Sequence, residues 1–244
     1  MKRNKIIEAL GQEKLIEHKK RIAFHEAGHA AGIYLNNKAR RLPAVFFNII
    51  FKDMGSVADL DAMAYPALQD DCIARVEGGR LIEIPPSIDS LISGLTEHNE
   101  PVMQLIQDYR VAFEADIIKM LIGPLAEAKH IADMDNEPFN PKLVNLEALS
   151  NYGGRSDLIL VEDYLHSFST DLQQKEEILA KLFAVAFDFV NEGANWAAIT
   201  GLAGYILEGT KNRISCEEII SILDQSVAYF QNSKIKARTG QVIF

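Results

Sequence analysis

Two histidines and one glutamate form the strongest chemical signal in this sequence. His25 and His29 lie four positions apart, so on a helix both imidazoles project from one face, about one turn apart. This spacing lets two ring nitrogens bind a single Zn²⁺ ion, and Glu26 lies beside them, where its carboxylate can accept a proton from zinc-bound water. The pattern therefore predicts a Zn²⁺ cofactor and the hydrolysis of an amide bond.

Chance rarely produces this motif. A chain with six histidines in 244 residues is expected to contain His-Glu-x-x-His about 0.01 times. The alternative is that both histidines are ordinary core or surface residues of a helix. Gly28 and Gly32 argue against that alternative, because an interior glycine costs a helix about 1 kcal/mol relative to alanine and therefore indicates a close backbone approach.

A catalytic zinc site needs a third protein ligand, and its identity separates the peptidase classes. Leu35 stands where a metzincin would have its third histidine, and no glutamate lies between Glu26 and Glu77. Asp157 is a candidate because it follows two glycines at the predicted start of a helix, with Ser156 as the predicted N-cap. It could instead be an ordinary acid that interacts with the helix dipole. The other candidates are Glu127, His130, Asp133, Asp163 and His166.

Three segments of the chain resemble the FtsH family, whose members are zinc peptidases fused to AAA ATPases. FHEAGHA at 24–30 is similar to the active-site helix of that family. IGPLAE at 122–127 is similar to its Gly-Gly-Arg-x-Ala-Glu segment, and GGRSDL at 153–158 is similar to its Gly-Ala-Ser-Asn-Asp-Leu segment. A weaker likeness covers residues 195–219.

The resemblance implies a mainly helical fold of the α+β class: a metallopeptidase domain with a small β-sheet near the active-site helix. In the family the edge strand of that sheet holds the substrate. The resemblance also implies that Asp157 is the third zinc ligand beside His25 and His29, and that Glu26 is the general base.

Glu127 is interpreted as the carboxylate that accepts the other N–H group of a ligand histidine and so orients its ring. Alternatively, Glu127 is a buried carboxylate paired with Lys129 or Arg155. The chain departs from the family at two of the similar segments, because Gly-Pro-Leu at 123–125 replaces a Gly-Arg-containing sequence and Arg155 alters the aspartate segment.

The domain organisation follows from the length between the motifs. His29 and Asp157 are separated by 128 positions, which is considerably longer than the family pattern, so we expect an insertion at 52–108. One domain is predicted over residues 1–231, with C-terminal helices at 171–231 and a polar tail at 232–244.

Hydrophobic periodicity predicts a chain that is mostly helical. Pro124 is expected to break or kink the longest helix, and Ser215 with Glu218 forms a predicted capping box. The expected helices are 4–18, 20–35, 101–121, 125–131, 142–150, 157–169, 171–191, 195–208 and 216–231. The expected strands are 44–51 and 80–84.

The first predicted strand also has a functional interpretation. Zinc peptidases of this kind bind substrate as an added strand, through main-chain hydrogen bonds that make the substrate sequence unimportant. On this interpretation Phe46, Phe47, Asn48 and Ile49 contact the substrate. The alternative is a core strand in which Phe46 and Phe47 pack inside, and the two interpretations are compatible.

Composition excludes several other classes of protein. The net charge of −9, from 25 basic and 34 acidic residues, argues against sequence-independent nucleic-acid binding. Two cysteines, Cys72 and Cys216, cannot form a disulfide framework or a four-cysteine zinc site. The chain has no apolar run of about 18 residues and no secretory signal, so no membrane contact and a cytoplasmic location are expected. A phosphate-binding Gly-x4-Gly-Lys-Ser/Thr loop is also missing from the sequence.

These patterns together predict an ATP-independent zinc endopeptidase that cuts unfolded or exposed polypeptide segments. Its expected partners are the polypeptide substrate and a separate unfoldase, and the sequence is compatible with a homo-oligomer. A second hypothesis is a non-catalytic or latent metal-binding relative that acts as an interaction or regulatory module. A third is a helical bundle without metal.

Overall fold

The computed structural model describes residues 2–51, 74–82 and 102–239. Most of the predicted insertion at 52–108 lies outside these ranges. The described chain is mainly helical with one small antiparallel sheet, which confirms the predicted fold class. Among the described helices, none combines the length and the hydropathy that crossing a membrane requires.

The described elements are numbered in chain order. The helices are α1 Lys2–Ala31, α2 Asn37–Arg40, α3 Val102–Met134, α4 Arg155–Phe168, α5 Leu172–Asn191, α6 Gly193–Glu208 and α7 Cys216–Thr239. A π-helix, Gly32–Asn36, joins α1 to α2, and a 3₁₀ turn, Ala148–Asn151, precedes α4. The strands are β1 Phe47–Phe51, β2 Ala74–Gly78 and β3 Arg213–Ile214. The helices predicted at 157–169, 171–191 and 195–208 are confirmed to within two residues at each end.

The antiparallel packing of α1 on α3 lies at the centre of the fold. A Cβ at Gly28 would lie 2.8 Å from Ala126 Cβ and 2.9 Å from Ile122 O, and a Cβ at Gly32 would lie 3.1 Å from Lys119 Cα. The backbones therefore meet at these two glycines, which confirms the close approach that the sequence indicates. Other faces of α1 carry small buried residues as well: Ala23, Ala27, Ala30 and Ala31.

Two buried clusters stabilise the elements around this helix pair. One joins α1 and the sheet to α6 and α7, and includes Ile49 and Leu202. The other joins α3 to α4 and α5, and includes Ile117, Val161 and Leu182. Burying one large aliphatic side chain contributes about 1.5–3 kcal/mol, so these contacts fix how α4 stands against the central pair.

The sheet has the order β2-β1-β3, with both pairings antiparallel. β1 forms within the predicted strand 44–51, but the strand predicted at 80–84 is wrong for the described residues 80–82. The partner of β1 is β2 instead, with Ile49 opposite Val76. Gly78 and Gly79 end β2, because their φ angles of 85° and 75° lie in the left-handed region, which a continuing strand does not use.

Two predicted helix breaks are absent from the described chain. The separation of helices 4–18 and 20–35 is wrong, because no breaking residue lies between them and α1 runs through as one helix. Of the two alternatives for Pro124, the break is wrong, since α3 continues through this residue. A proline removes one main-chain hydrogen bond, and Leu121 and Leu125, both fully buried, hold the helix in place on either side.

The helix predicted at 142–150 is wrong except for the 3₁₀ turn at its end. Asparagine side chains occupy the main-chain donors that a helix would use. Asn140 Oδ1 accepts the N–H of Lys142 at 3.0 Å, and Asn145 Oδ1 accepts the N–H of Ala148 at 2.9 Å. Such local side-chain bonds compete with helix formation.

The capping box at the start of α7 is confirmed. The N–H of Glu218 donates to Ser215 Oγ at 3.4 Å, and the N–H of Ser215 donates to Glu218 Oε2 at 3.3 Å. The predicted helix end at 231 is wrong, because α7 continues to Thr239. Residues 240–244 lie outside the described ranges.

Replacing Gly28 with alanine is expected to destabilise the protein, whereas the same change at Gly204 is expected to stabilise it. The Cβ at Gly28 would meet α3 backbone, and such overpacking costs about 1–3 kcal/mol. The Cβ at Gly204, within α6, would meet nothing within 4 Å, so the propensity gain of up to about 1 kcal/mol remains. Urea unfolding measures both free energies, and a stabilised Gly28→Ala variant would contradict the packing argument.

Candidate metal centre

Three side chains with metal-binding atoms meet where α4 begins beside α1. His25 Nε2 lies 3.3 Å from Asp157 Oδ2, and His29 Nε2 lies 3.3 Å from Asp157 Oδ1. The two Nε2 atoms are 3.0 Å apart. The structure thus brings the three predicted ligands together, with their ligand atoms within 4.8 Å of one another.

The start of α4 positions the carboxylate. α4 begins at Arg155, with Gly154 as its N-cap and no side-chain cap, so the predicted N-cap role of Ser156 is wrong. Gly153, with a φ of 70°, turns the chain immediately before this point. Asp157 therefore lies in the first turn of α4, where the helix dipole favours a negative charge.

Hydrogen bonds at the Nδ1 atoms determine which ring nitrogens are free. His29 Nδ1 lies 2.9 Å from the main-chain oxygen of Lys119, which can only accept, so this Nδ1 carries a proton. His25 Nδ1 lies 3.2 Å from Glu127 Oε2 and donates in the same way. In the neutral rings, the Nε2 lone pairs then face each other and the Asp157 carboxylate. This arrangement is unfavourable unless a cation or an added proton lies among these acceptors.

The donor set fits Zn²⁺. Catalytic zinc sites use three protein ligands of the imidazole and carboxylate types and keep a fourth position open. Tetrahedral bonds of about 2.0–2.1 Å place ligand atoms about 3.3 Å apart. The observed separations of 3.0 Å and 3.3 Å are close to that value. Asp157 Oδ2 is buried and accepts no hydrogen bond from the part of the chain that the structure describes, so it is available as a ligand.

The pKa values of His25 and Asp157 shift in opposite directions because the two groups are close together. Burial by itself lowers the pKa of His25, but the nearby carboxylates of Asp157 and Glu127 outweigh burial and raise this pKa well above its usual value. Burial by itself raises the pKa of Asp157, but the nearby rings of His29 and His25 outweigh burial and lower it far below its usual value. Metal ligands must be deprotonated, so a bound divalent cation would replace the imidazolium proton in this balance.

Glu127 on α3 orients His25 and is itself held by an arginine. Its Oε1 accepts from Arg21 Nε at 2.8 Å, while its Oε2 contacts His25. Burial raises the pKa of Glu127, but His25 and Arg21 lower it, so the carboxylate is ionised. The cation that pairs with Glu127 is therefore Arg21, and not Lys129 or Arg155 as the alternative prediction had it. The signal for Arg21 was its position one helical turn before His25, on the same face.

Glu26 lies beside the ligand cluster and is only 7% exposed. Its Oε2 accepts the main-chain N–H of Val76, in β2, at 2.6 Å. Burial raises the pKa of Glu26, and the neighbouring His25 and His29 partly oppose that shift. A carboxylate with a raised pKa can accept a proton and later release it, which is what a general base and acid must do.

Two glycines leave the space that the ligand rings occupy. A Cβ at Gly123 would overlap the ring of His29, and a Cβ at Gly153 would lie 3.0 Å from both His25 Nδ1 and Glu127 Oε2. Neither glycine is among the site residues that the sequence predicts. The signal was present, since both lie in the segments that resemble the FtsH family.

The other ligand candidates lie outside the cluster. His130 stacks on Phe24 with ring centroids 3.9 Å apart, and Asp133, Asp163 and His166 are exposed. Along their helices these four residues lie about one turn or more beyond the site-facing positions, so their side chains do not reach the ligand atoms of the cluster.

β1, which carries most of the predicted substrate residues, is the middle strand of the described sheet. β2 pairs with one side of β1, and β3 pairs with the other side at Ile49 and Ile50. Phe47, Asn48 and Ile49 are buried, which confirms the core alternative for Phe47, whereas Phe46 is 62% exposed. The outer edges of the described sheet belong to β2 and β3, and the substrate role of Phe46, Phe47, Asn48 and Ile49 stays a prediction.

Comparisons with known protein families, with curated proteins and with solved structures found no match to this chain. The resemblance to the FtsH peptidases therefore stays a prediction from the sequence motifs.

Replacing Glu127 with glutamine is expected to weaken zinc binding by about 10–100-fold, because an amide cannot accept from both Arg21 and His25. Competition with a chromogenic zinc chelator measures this affinity. Glu114→Gln is the matched control on α3, since its carboxylate pairs with Arg40 and Arg110 instead. Equal zinc affinity in the two variants would refute the orienting role of Glu127.

Proposed function

We propose that this protein is a zinc-dependent endopeptidase that cleaves unfolded or exposed polypeptide segments. The observation that carries the proposal is the convergence of His25 Nε2, His29 Nε2 and the Asp157 carboxylate, with Glu26 buried beside them. Three ligands of these types with a neighbouring carboxylate are the arrangement that zinc hydrolases use.

The chemistry divides between the ion and the side chains. His25, His29 and Asp157 would hold the zinc, which when bound polarises a carbonyl group and makes water a stronger acid. Glu26 takes a proton from the attacking water and then passes it to the leaving amine. Glu127 keeps the ring of His25 in the orientation that directs Nε2 toward the other ligands.

The free edge of β2 is the substrate site that we propose, although Glu26 already engages one of its main-chain donors, the N–H of Val76. The main chain of Val76 faces away from β1, because its N–H reaches Glu26. Alternate residues of a strand direct their main-chain groups to the same side, so Ala74 and Gly78 also face away from β1. An extended polypeptide can add to this edge through main-chain bonds that tolerate many sequences. Folded substrates would first need a separate unfoldase, because an added strand must be extended.

One contact favours the second hypothesis, a latent or non-catalytic metal-binding module. Glu26 Oε2 is engaged by Val76 N–H at 2.6 Å, and a carboxylate held in this way is a weaker proton acceptor. Its other oxygen retains its lone pairs, so the contact alone does not abolish the proposed chemistry. Activity measurements separate the two hypotheses.

Replacing Glu26 with glutamine is expected to leave zinc content unchanged and to reduce cleavage of unfolded casein by at least about 100-fold, the usual loss when a general base is removed. Zinc is measured by elemental analysis and cleavage by release of new amino termini. Glu17→Gln is the matched control, an exposed glutamate on the same helix. Normal turnover by the Glu26→Gln variant would refute the proposed mechanism, and inactivity of the zinc-loaded native chain would favour the non-catalytic module.

The native chain is expected to purify with one zinc ion and to lose activity in a chelator, with recovery when zinc is added back. His25→Ala is expected to weaken zinc binding strongly, because it removes one of the three ligands. Titration of each metal-free protein with zinc measures both affinities. A native chain that binds no zinc and is unaffected by chelator would instead fit the metal-free helical bundle.

A further inference from the structure

A buried ion pair on α3 has no part in the chemistry proposed above. Asp116 is fully buried and Lys119 is 6% exposed, with Lys119 Nζ 2.5 Å from Asp116 Oδ1. The same carboxylate accepts the N–H of Leu81 at 3.1 Å and the N–H of Ile82 at 3.0 Å. Lys119 Nζ also donates to the carbonyl oxygen of Gly79. The pair therefore holds both donors and acceptors of residues 79–82, which we call the exit segment of β2.

This turn of α3 also contacts the elements that carry the metal ligands. The main-chain oxygen of Lys119 accepts from His29 Nδ1 at 2.9 Å. The hydroxyl of Tyr164, which lies on α4 about two turns after Asp157, is 2.8 Å from Ile82 O and 3.3 Å from an oxygen of Asp116. One site on α3 thus connects α1, α4 and the exit segment.

We infer that Asp116, together with Lys119, is a positioning residue that sets the free edge of β2 relative to Glu26 and the metal ligands. This inference rests on the proposed function, because the edge of β2 would align a bound polypeptide substrate with Glu26 and the metal ligands. Asp116 itself contacts neither a metal ligand nor Glu26 among the contacts of the described residues.

The chemistry of the exit segment accounts for a charged pair at this place. β2 ends in Gly78 and Gly79, both with positive φ, and within the described sheet its main chain is paired only with β1. A carboxylate has lone pairs for several donors at once, and charge-assisted hydrogen bonds are about twice as strong as neutral ones. An apolar pair at these positions would leave the N–H groups of Leu81 and Ile82 and the carbonyl of Gly79 without these partners, so the charged pair serves to hold the exit segment in place.

Asp116→Asn tests this role, because it keeps the side-chain volume but turns an amide NH₂ toward main-chain donors. In the full chain without metal, hydrogen exchange at Leu81 and Ile82 is expected to become at least about tenfold faster. Zinc affinity is expected to stay within about threefold, since the ligands are unchanged. Exchange at the native rate would overturn the inference.

The catalytic arm measures KM and kcat with unfolded casein. Asp116→Asn is expected to raise KM about tenfold and to change kcat less than about threefold, since loss of an aligned edge weakens binding of the substrate. Val190→Ala is the control for a general loss of stability, because Val190 is buried in α5 but lies far from Asp116. The neighbouring residue Asn191 bonds Lys129, which is about 20 Å from Asp116 along α3. Faster exchange with an unchanged KM would overturn the positioning role.

A binding measurement distinguishes failure of the proposed function from failure of the inference about Asp116. If the native chain cleaves nothing, casein binding to the Glu26→Gln and Glu26→Gln/Asp116→Asn variants decides the inference. A tenfold weaker affinity in the double variant supports it, and equal affinity or no binding overturns it. If Asp116→Asn does not fold, Tyr164→Phe provides a second variant, because it removes one hydrogen-bond donor and keeps the ion pair. Its casein affinity is expected to fall as well, but by less than that of Asp116→Asn.

Discussion

The close approach of α1 and α3 is the constraint on which the candidate site depends. The two backbones meet because Gly28 and Gly123 carry no side chains at the contact. Since the helices run antiparallel at this short distance, Glu127 and the carbonyl of Lys119 each reach the Nδ1 atom of a different histidine. Those two hydrogen bonds direct both Nε2 atoms toward Asp157. A packing contact thus determines which nitrogens are available to a metal.

The site concentrates charges that are unfavourable on their own. Glu26, Glu127 and Asp157 lie within one largely buried region, and Arg21 forms an ion pair with one of them, Glu127. Buried carboxylates without partners are costly, and here protonation of an imidazole or a bound cation would balance them. Such concentrations of perturbed ionisable groups are typical of functional sites rather than of structural cores.

One face of α3 organises both the ligands and the sheet edge. Asp116, Lys119, Gly123 and Glu127 follow one another at intervals of three or four residues, so they lie along a single helix face. That face holds the exit segment of β2 at one end and the ring of His25 at the other. Continuity of α3 through its internal proline is therefore necessary, because a break there would change the relative placement of the two ends.

The sequence by itself determined the local parts of this protein: the helical class, the cap of α7, and His25 and His29 on one helix face. These depend on residues a few positions apart, and motif resemblance added Asp157 and Glu127. Only the tertiary structure decided that β2 forms the sheet edge beside Glu26, that Arg21 holds Glu127 and that a buried ion pair anchors the exit segment. Val76 lies 50 positions from its acceptor on α1, and Leu81 lies 35 from its acceptor on α3. Local propensity carries no information on such contacts, because they form only when distant segments pack together.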